Sequence, residues 1–209
     1  MINTVKIFVE GIADVKFLSD YIRHIIPDFK IIKGETIIHS GGWTSNREMI
    51  QQQMKQNTDN GGISLIIFDA DIDFAARKKE IETWRTTSGL TFEIFLLPNN
   101  KDTGALEDLL ENIILNSNQP IFDCWNGYER CLQSKIIEGR TEPLTIPAKK
   151  TKIYGYLEAL SGKASSEKKK LKEADRDYSN IKHWNLDSDY LTPLKDFLQD
   201  SLLGKQTTT

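Results

Sequence analysis

LIIFDADID, residues 65–73, runs four apolar side chains straight into aspartates at alternate positions, Asp69, Asp71 and Asp73. An unbroken apolar run of this length is the pattern of a parallel strand covered on both faces. Unpaired carboxylates cannot follow such a strand inward, because burying an isolated charge is prohibitively unfavourable. The strand therefore ends near Phe68 and presents its acids at the C-terminal edge, where open α/β sheets place their ligands.

Outward from this strand, extended and helical patterns alternate. TVKIFV, residues 4–9, reads as a first strand broken by Glu10-Gly11, and Val15, Leu18, Ile22 and Ile25 follow at helical spacing. The β-rich pieces KII and TIIH lie within 30–39, and Gly41-Gly42 turns the chain toward a polar helix around 45–57. After the 63–68 strand, a charged helix is expected from about Ala75 to Arg85, with Asp73 as a plain N-cap. FEIFLL at 92–97 is a further strand stopped by Pro98-Asn99-Asn100. Leu106, Leu109, Leu110, Ile113 and Ile114 then mark one face of a helix. This alternation predicts an α/β fold, a mainly parallel four-stranded sheet of Rossmann-like type with helices on both faces.

Past Asn116 the rhythm changes. Pro120, Pro143 and Pro147 predict irregular structure with one short helix over 117–147, followed by a helix from Ile153 to Leu160. EKKKLKEADRDY reads as a charged helix or a mobile segment, and a last helix is expected from an N-cap at Thr192, with Pro193 in its first turn and Gly204 as its stop. The expected organisation is a metal-binding α/β unit over 1–116 and a mostly helical extension over 117–209 packed on it, with a disordered tail at 204–209.

A hydrophobic content of 39% suffices for a real core, and a net charge of -3 offers no global argument for nucleic-acid binding. No run approaches the ~18 apolar residues of a membrane span, and Met-Ile-Asn-Thr is not a signal-peptide start. A cytoplasmic protein without a membrane partner is expected. Cys124 and Cys131 fit neither a close zinc pair nor a disulfide framework and are read as packing residues. His24, His39 and His183 are scattered singly, which gives a histidine-based centre little support.

The acids are more telling. Side chains alternate along an extended segment, so Asp69 and Asp71 are expected on one side and Ala70 on the other. Two close carboxylates repel unless a cation lies between them, and a hard divalent ion is the usual remedy. Mg²⁺ takes a few carboxylates plus waters and leaves positions for phosphate oxygens. Glu10 ends the first strand as Asp69 ends the third, which makes it a candidate third ligand, with Asp14 one helical turn beyond.

VEGIAD at 9–14, FDAD at 68–71 and LPNNKDTGALEDLL at 97–110 together resemble the Toprim superfamily. The version here is most similar to small uncharacterised bacterial Toprim-like proteins and to the nuclease domain of the OLD family. The resemblance covers about residues 1–116. It implies adjacent strand tips carrying Glu10 and Asp69, with Glu10, Asp69 and Asp71 as catalytic residues that bind Mg²⁺ or Mn²⁺. The implied activity is phosphodiester cleavage, as in a nuclease. Asp14 matches the second acidic position of the OLD-like EGxxD/E pattern and Glu107 the acid of its GxLE segment, which implies both as further metal ligands. No ATPase portion accompanies the motif: SGKA at 161–164 lacks Ser or Thr after Lys163, and Gly155 is too far away for a phosphate loop.

Each feature also has a plainer reading. Asp14, Glu107 and Asp108 fall in first turns of helices, where the dipole favours a carboxylate by ~0.3–1 kcal/mol. Asp69, Asp71, Asp73 and Glu80 match positions of a calcium loop, but Phe74 replaces its glycine. DADID also resembles the nucleophile motif of haloacid-dehalogenase phosphatases, which normally opens the first strand and leaves Glu10 unexplained. From Lys149 to Lys172 the chain carries eight lysines against two glutamates. That segment is a solvated helix face or a phosphate-binding rim, with Lys149, Lys150 and Lys152 as the candidate nucleic-acid contacts. Trp125, Trp184 and Tyr178 either stack on bases or close a core. A non-catalytic nucleic-acid- or metal-binding module is the alternative to a nuclease.

Overall fold

The computed structural model describes residues 4–42, 46–161 and 164–204. The chain start at 1–3, Lys163 and the tail at 205–209 lie outside the described residues. The α/β part contains β1 (Val5–Val9), α1 (Ile12–Ile25), β2 (Ile37–His39), α2 (Arg47–Asp59), β3 (Ile63–Asp69), α3 (Phe74–Ser88), β4 (Glu93–Leu97) and α4 (Leu106–Asn112). There follow α5 (Gln119–Gln133), α6 (Lys149–Leu160), α7 (Ser165–Lys169) and α8 (Thr192–Leu203).

The four strands form one parallel sheet in the order β2-β1-β3-β4. β3 is covered on both faces, as its apolar run requires. Leu65 and Ile67 pack with α1, α4 and the C-terminal helices, whereas Ile66 and Phe68 pack with α2 and α3. The chain leaves β1 toward β2 on one side, then crosses back past β1 to β3. Right-handed crossovers running in opposite directions cover opposite faces of a sheet, which explains why α1 and α2 lie on different sides. The reversal falls between β1 and β3. Because Val9 pairs with Ile67, Glu10 and Asp69 leave the sheet within one residue of the same level. Asp73 caps α3, accepting the Ala76 N–H at 2.9 Å, and Gly89 ends that helix in the left-handed conformation at φ 66°.

The C-terminal segment shares the core of the sheet. Phe122, Ile153, Tyr156, Tyr178, Trp184 and Leu198 join one apolar cluster with β1, β3 and α1. Asp20, buried in α1, accepts the Tyr178 N–H at 3.0 Å and pairs with Lys16 at 2.6 Å, so its charge is compensated. Phe17 meets the Tyr178 ring edge-on at 5.4 Å. Trp184 and Tyr178 are 1% and 0% exposed and so are closed to base stacking.

Several boundaries differ from the sequence reading. α4 stops at Asn112, and beyond it Ile113 accepts the Asn185 N–H at 2.7 Å while Ile114 forms a bridge with Trp184. A long-range pairing thus replaces another helical turn. The segment 117–147 holds a helix of 15 residues rather than a short one, with Pro120 in its first turn, where a missing N–H is harmless. Thr192 is the first residue of α8 and not its N-cap, because a 3-10 turn, Asp189–Leu191, feeds directly into the helix. Cys124 and Cys131 are exposed and free rather than packed. Both lie on the opposite side of α5 from its buried Phe122, two and nine residues along a helix of 3.6 residues per turn. Among the described residues, no helix is long and apolar enough to cross a membrane.

A shared core predicts shared cooperativity. Trp184→Ala should lower stability by about 3–5 kcal/mol in one urea transition followed by circular dichroism. A separate early transition for the C-terminal helices would contradict the common core.

Candidate functional site

Three loops at the C-terminal ends of the strands meet at the β1/β3 reversal. Glu10 follows β1 directly, and Asp14 in the first turn of α1 accepts the Gly11 N–H at 2.7 Å. Asp69 closes β3, and its Oδ1 accepts the Leu106 N–H at 3.1 Å, which ties it to the start of α4. Glu107 is the next residue along that first turn. Asp71 is clamped by its backbone: its N–H donates to the Gly104 carbonyl at 2.9 Å, and its own carbonyl accepts the Gly104 N–H at 2.8 Å. Gly104 cannot readily be replaced, since φ is 136° and a Cβ would come within 2.6 Å of the Asp108 carboxylate.

Strand alternation divides these acids. Val9 and Ile67 face α1, so Asp69 continues that side, whereas Phe8 and Phe68 face α3 and carry Glu10 to the other. The same-side expectation for Asp69 and Asp71 fails locally for a related reason. Asp71 has φ 55°, and extended alternation stops where the chain turns left-handed.

Arg77 of α3 joins the two halves. Its guanidinium pairs with Glu10, lies 3.6 Å from the Asp71 carboxylate and 3.5 Å from Glu80, and its Nε–H donates to the Asp69 carbonyl at 3.2 Å. The side chain is 12% exposed. Sequence reasoning missed it: within the charged run ARKKE nothing separates Arg77 from its neighbours, and its one signal is the three-residue spacing to Glu80.

The other side of the reversal is short of positive charge. Burial pushes the Asp69 carboxyl up from 3.8 to about 8, reinforced by Asp14, Glu10 and Glu107 and opposed by the Leu106 N–H. Burial likewise raises Asp14 to about 7 against the pull of the Gly11 N–H, with Glu107, Glu10 and Glu173 adding to the rise. Glu10 is raised by burial despite Arg77, with Asp71 and Glu80 also pushing upward. These repulsions show that Glu10, Asp14, Asp69 and Glu107 share one electrostatic neighbourhood. Among the described residues, no ion pair reaches Asp14, Asp69 or Glu107.

The C-terminal segment supplies the remaining wall, which the sequence reading did not anticipate. Glu173 bears on Asp14 and pairs with Lys150 at 2.5 Å. Arg176, 3% exposed, donates to the Tyr178 hydroxyl at 3.1 Å and lies over the Tyr154 ring at 4.9 Å. Of the three candidate phosphate contacts, Lys149 pairs with Asp108 and remains 60% exposed, and Lys150 is 54% exposed. Lys152 is buried, pairs with Glu111 at 2.9 Å and covers the Phe122 ring.

Oxygen donors of this kind suit a hard divalent cation. As placed, their carboxyl oxygens engage Arg77 and backbone N–H groups. Among the described residues, no group of three or more His, Cys, Asp or Glu side chains is gathered closely enough to hold a metal ion. The donor types suit Mg²⁺ or Mn²⁺, and two of the acids, Glu10 and Asp71, are held by Arg77.

The raised carboxyls dictate a pH dependence. A group whose pKa is higher when folded binds its proton more tightly in the folded state, so its contribution is complete below about pH 4 and is lost as pH rises toward 8. In metal-free buffer, the urea midpoint should fall between pH 5 and pH 8.5. Asp69→Asn should remove only part of that fall, the share of Asp14 and Glu10 remaining, and stabilise the protein at pH 8.5 by roughly 1–3 kcal/mol. Equal destabilisation of the variant at both pH values would refute the assignment.

A family model described as "Protein of unknown function (DUF3226)" matches residues 4–203. No curated protein and no solved structure matches the chain. The match takes in the sheet, the acidic loops and the helical segment that walls them, and the chain belongs to the DUF3226 family.

Proposed function

We propose that the protein is a Mg²⁺- or Mn²⁺-dependent phosphodiester-cleaving enzyme, a nuclease with a Toprim-like acidic site, working in the cytoplasm. One observation carries the reading: Glu10, Asp14, Asp69, Asp71 and Glu107 all stand in loops at the strand ends where the strand order reverses, with Glu10, Asp14 and Glu107 in electrostatic reach of Asp69. Ligand sites of open parallel sheets lie at such a reversal. A bound divalent ion would polarise a phosphate and acidify a water.

The chain's own groups have distinct parts in this reading. Glu10, Asp69 and Asp71 are the primary ligands, with Asp14 and Glu107 positioned to complete or extend the set. Leu106 N–H orients the Asp69 carboxylate, and the Asp71–Gly104 clamp fixes the Asp71 backbone. Lys149 and Lys150 stand exposed on α6 and would contact flanking phosphates once released from Asp108 and Glu173. Lys152, buried against Glu111, would act by holding α6 in place.

A second reading, a nucleic-acid- or metal-binding module without turnover, draws on the ion pairing of all three lysines. Incubation with plasmid and single-stranded DNA or RNA under Mn²⁺ or Mg²⁺ separates the two. Cleavage that falls by about 100-fold or more in Asp69→Ala is expected of the nuclease. Binding without cleavage favours the module, and cleavage unchanged in Asp69→Ala rejects the site.

A further inference from the structure

Among the described residues, Arg77 reaches Glu10, Asp71 and the Asp69 backbone together. It therefore stands among the groups proposed to ligate the ion. A guanidinium and a divalent cation compete for the same carboxylate oxygens, since each is stabilised by the charge the other would neutralise. Its alternative mooring is already in reach. Nη1 lies 3.5 Å from Glu80, three residues along the same helix, and Glu80 also pairs with Arg47 of α2.

We propose that Arg77 is a built-in counter-ion of the acidic site, which holds Glu10 and Asp71 and transfers toward Glu80 when a divalent cation binds. The inference rests on the metal-dependent reading above and adds what sets the affinity. A cation-competent site exists only in the fraction of molecules whose Arg77 has swung away, and apparent affinity is reduced by that fraction. Arg77 also keeps Glu10 and Asp71 from repelling each other in the metal-free protein. It is a positioning residue whose removal should tighten cation binding.

Calorimetry of the full chain with Mn²⁺ tests this directly. Arg77→Gln should bind Mn²⁺ about tenfold more tightly than the unsubstituted protein. A second measurement needs no stable variant: in the ¹⁵N-labelled protein, the Arg77 Nε–H resonance, hydrogen-bonded to the Asp69 carbonyl, should shift saturably on titration with Mg²⁺. Binding by the unsubstituted protein that is unchanged or weakened in Arg77→Gln, or an Arg77 resonance that stays put while Mg²⁺ binds, overturns the counter-ion role and leaves the metal reading standing. Absence of Mn²⁺ binding in both proteins overturns the two together.

Discussion

The register of β1 against β3 governs the site. Parallel pairing of Val9 with Ile67 brings two strands to the same edge at the point where the chain changes direction across the sheet. Side-chain alternation then decides which acid faces which layer. Glu10 meets the guanidinium of α3, and Asp69 meets the first turn of α4. A slip of one residue would send apolar side chains to water and carboxylates into the layers, so the same hydrophobic pattern that builds the core enforces the placement.

Against that background the acids form a local conflict that the rest of the fold sustains. The Asp14 and Asp69 carboxylates have protein hydrogen-bond donors but no ion pair among the described residues, and they repel Glu10 and Glu107. Local inconsistencies of this kind are expected where function has overruled stability. By contrast, buried Asp20 is compensated by Lys16 and the Tyr178 N–H, as an acid with a structural role should be.

The helical C-terminal segment is more than a cover for the sheet. Its apolar side chains complete the layer over α1, and Glu173 and Lys150 stand beside the acids on that side. Both bring charge to the neighbourhood from outside the strand-tip motifs. The resemblance read in VEGIAD and FDAD concerns the α/β part alone, whereas the family match runs through this segment as well.

By itself the sequence determined the sheet and its ends. Apolar runs and helical spacings are local signals set by burial, and Asp73 marks a helix start through backbone chemistry that a few residues suffice to specify. Only the tertiary structure decided which charges meet. Arg77 is one of several cations in its helix until the β3–α3 turn aims it at Glu10, and the left-handed Asp71 defeats the alternation rule. The end of α4, the solvent-facing cysteines and the burial of Lys152 were settled in the same way. The physical reason is that periodicity records whether a side chain is buried, while the partner of a charge depends on contacts between segments far apart in the chain.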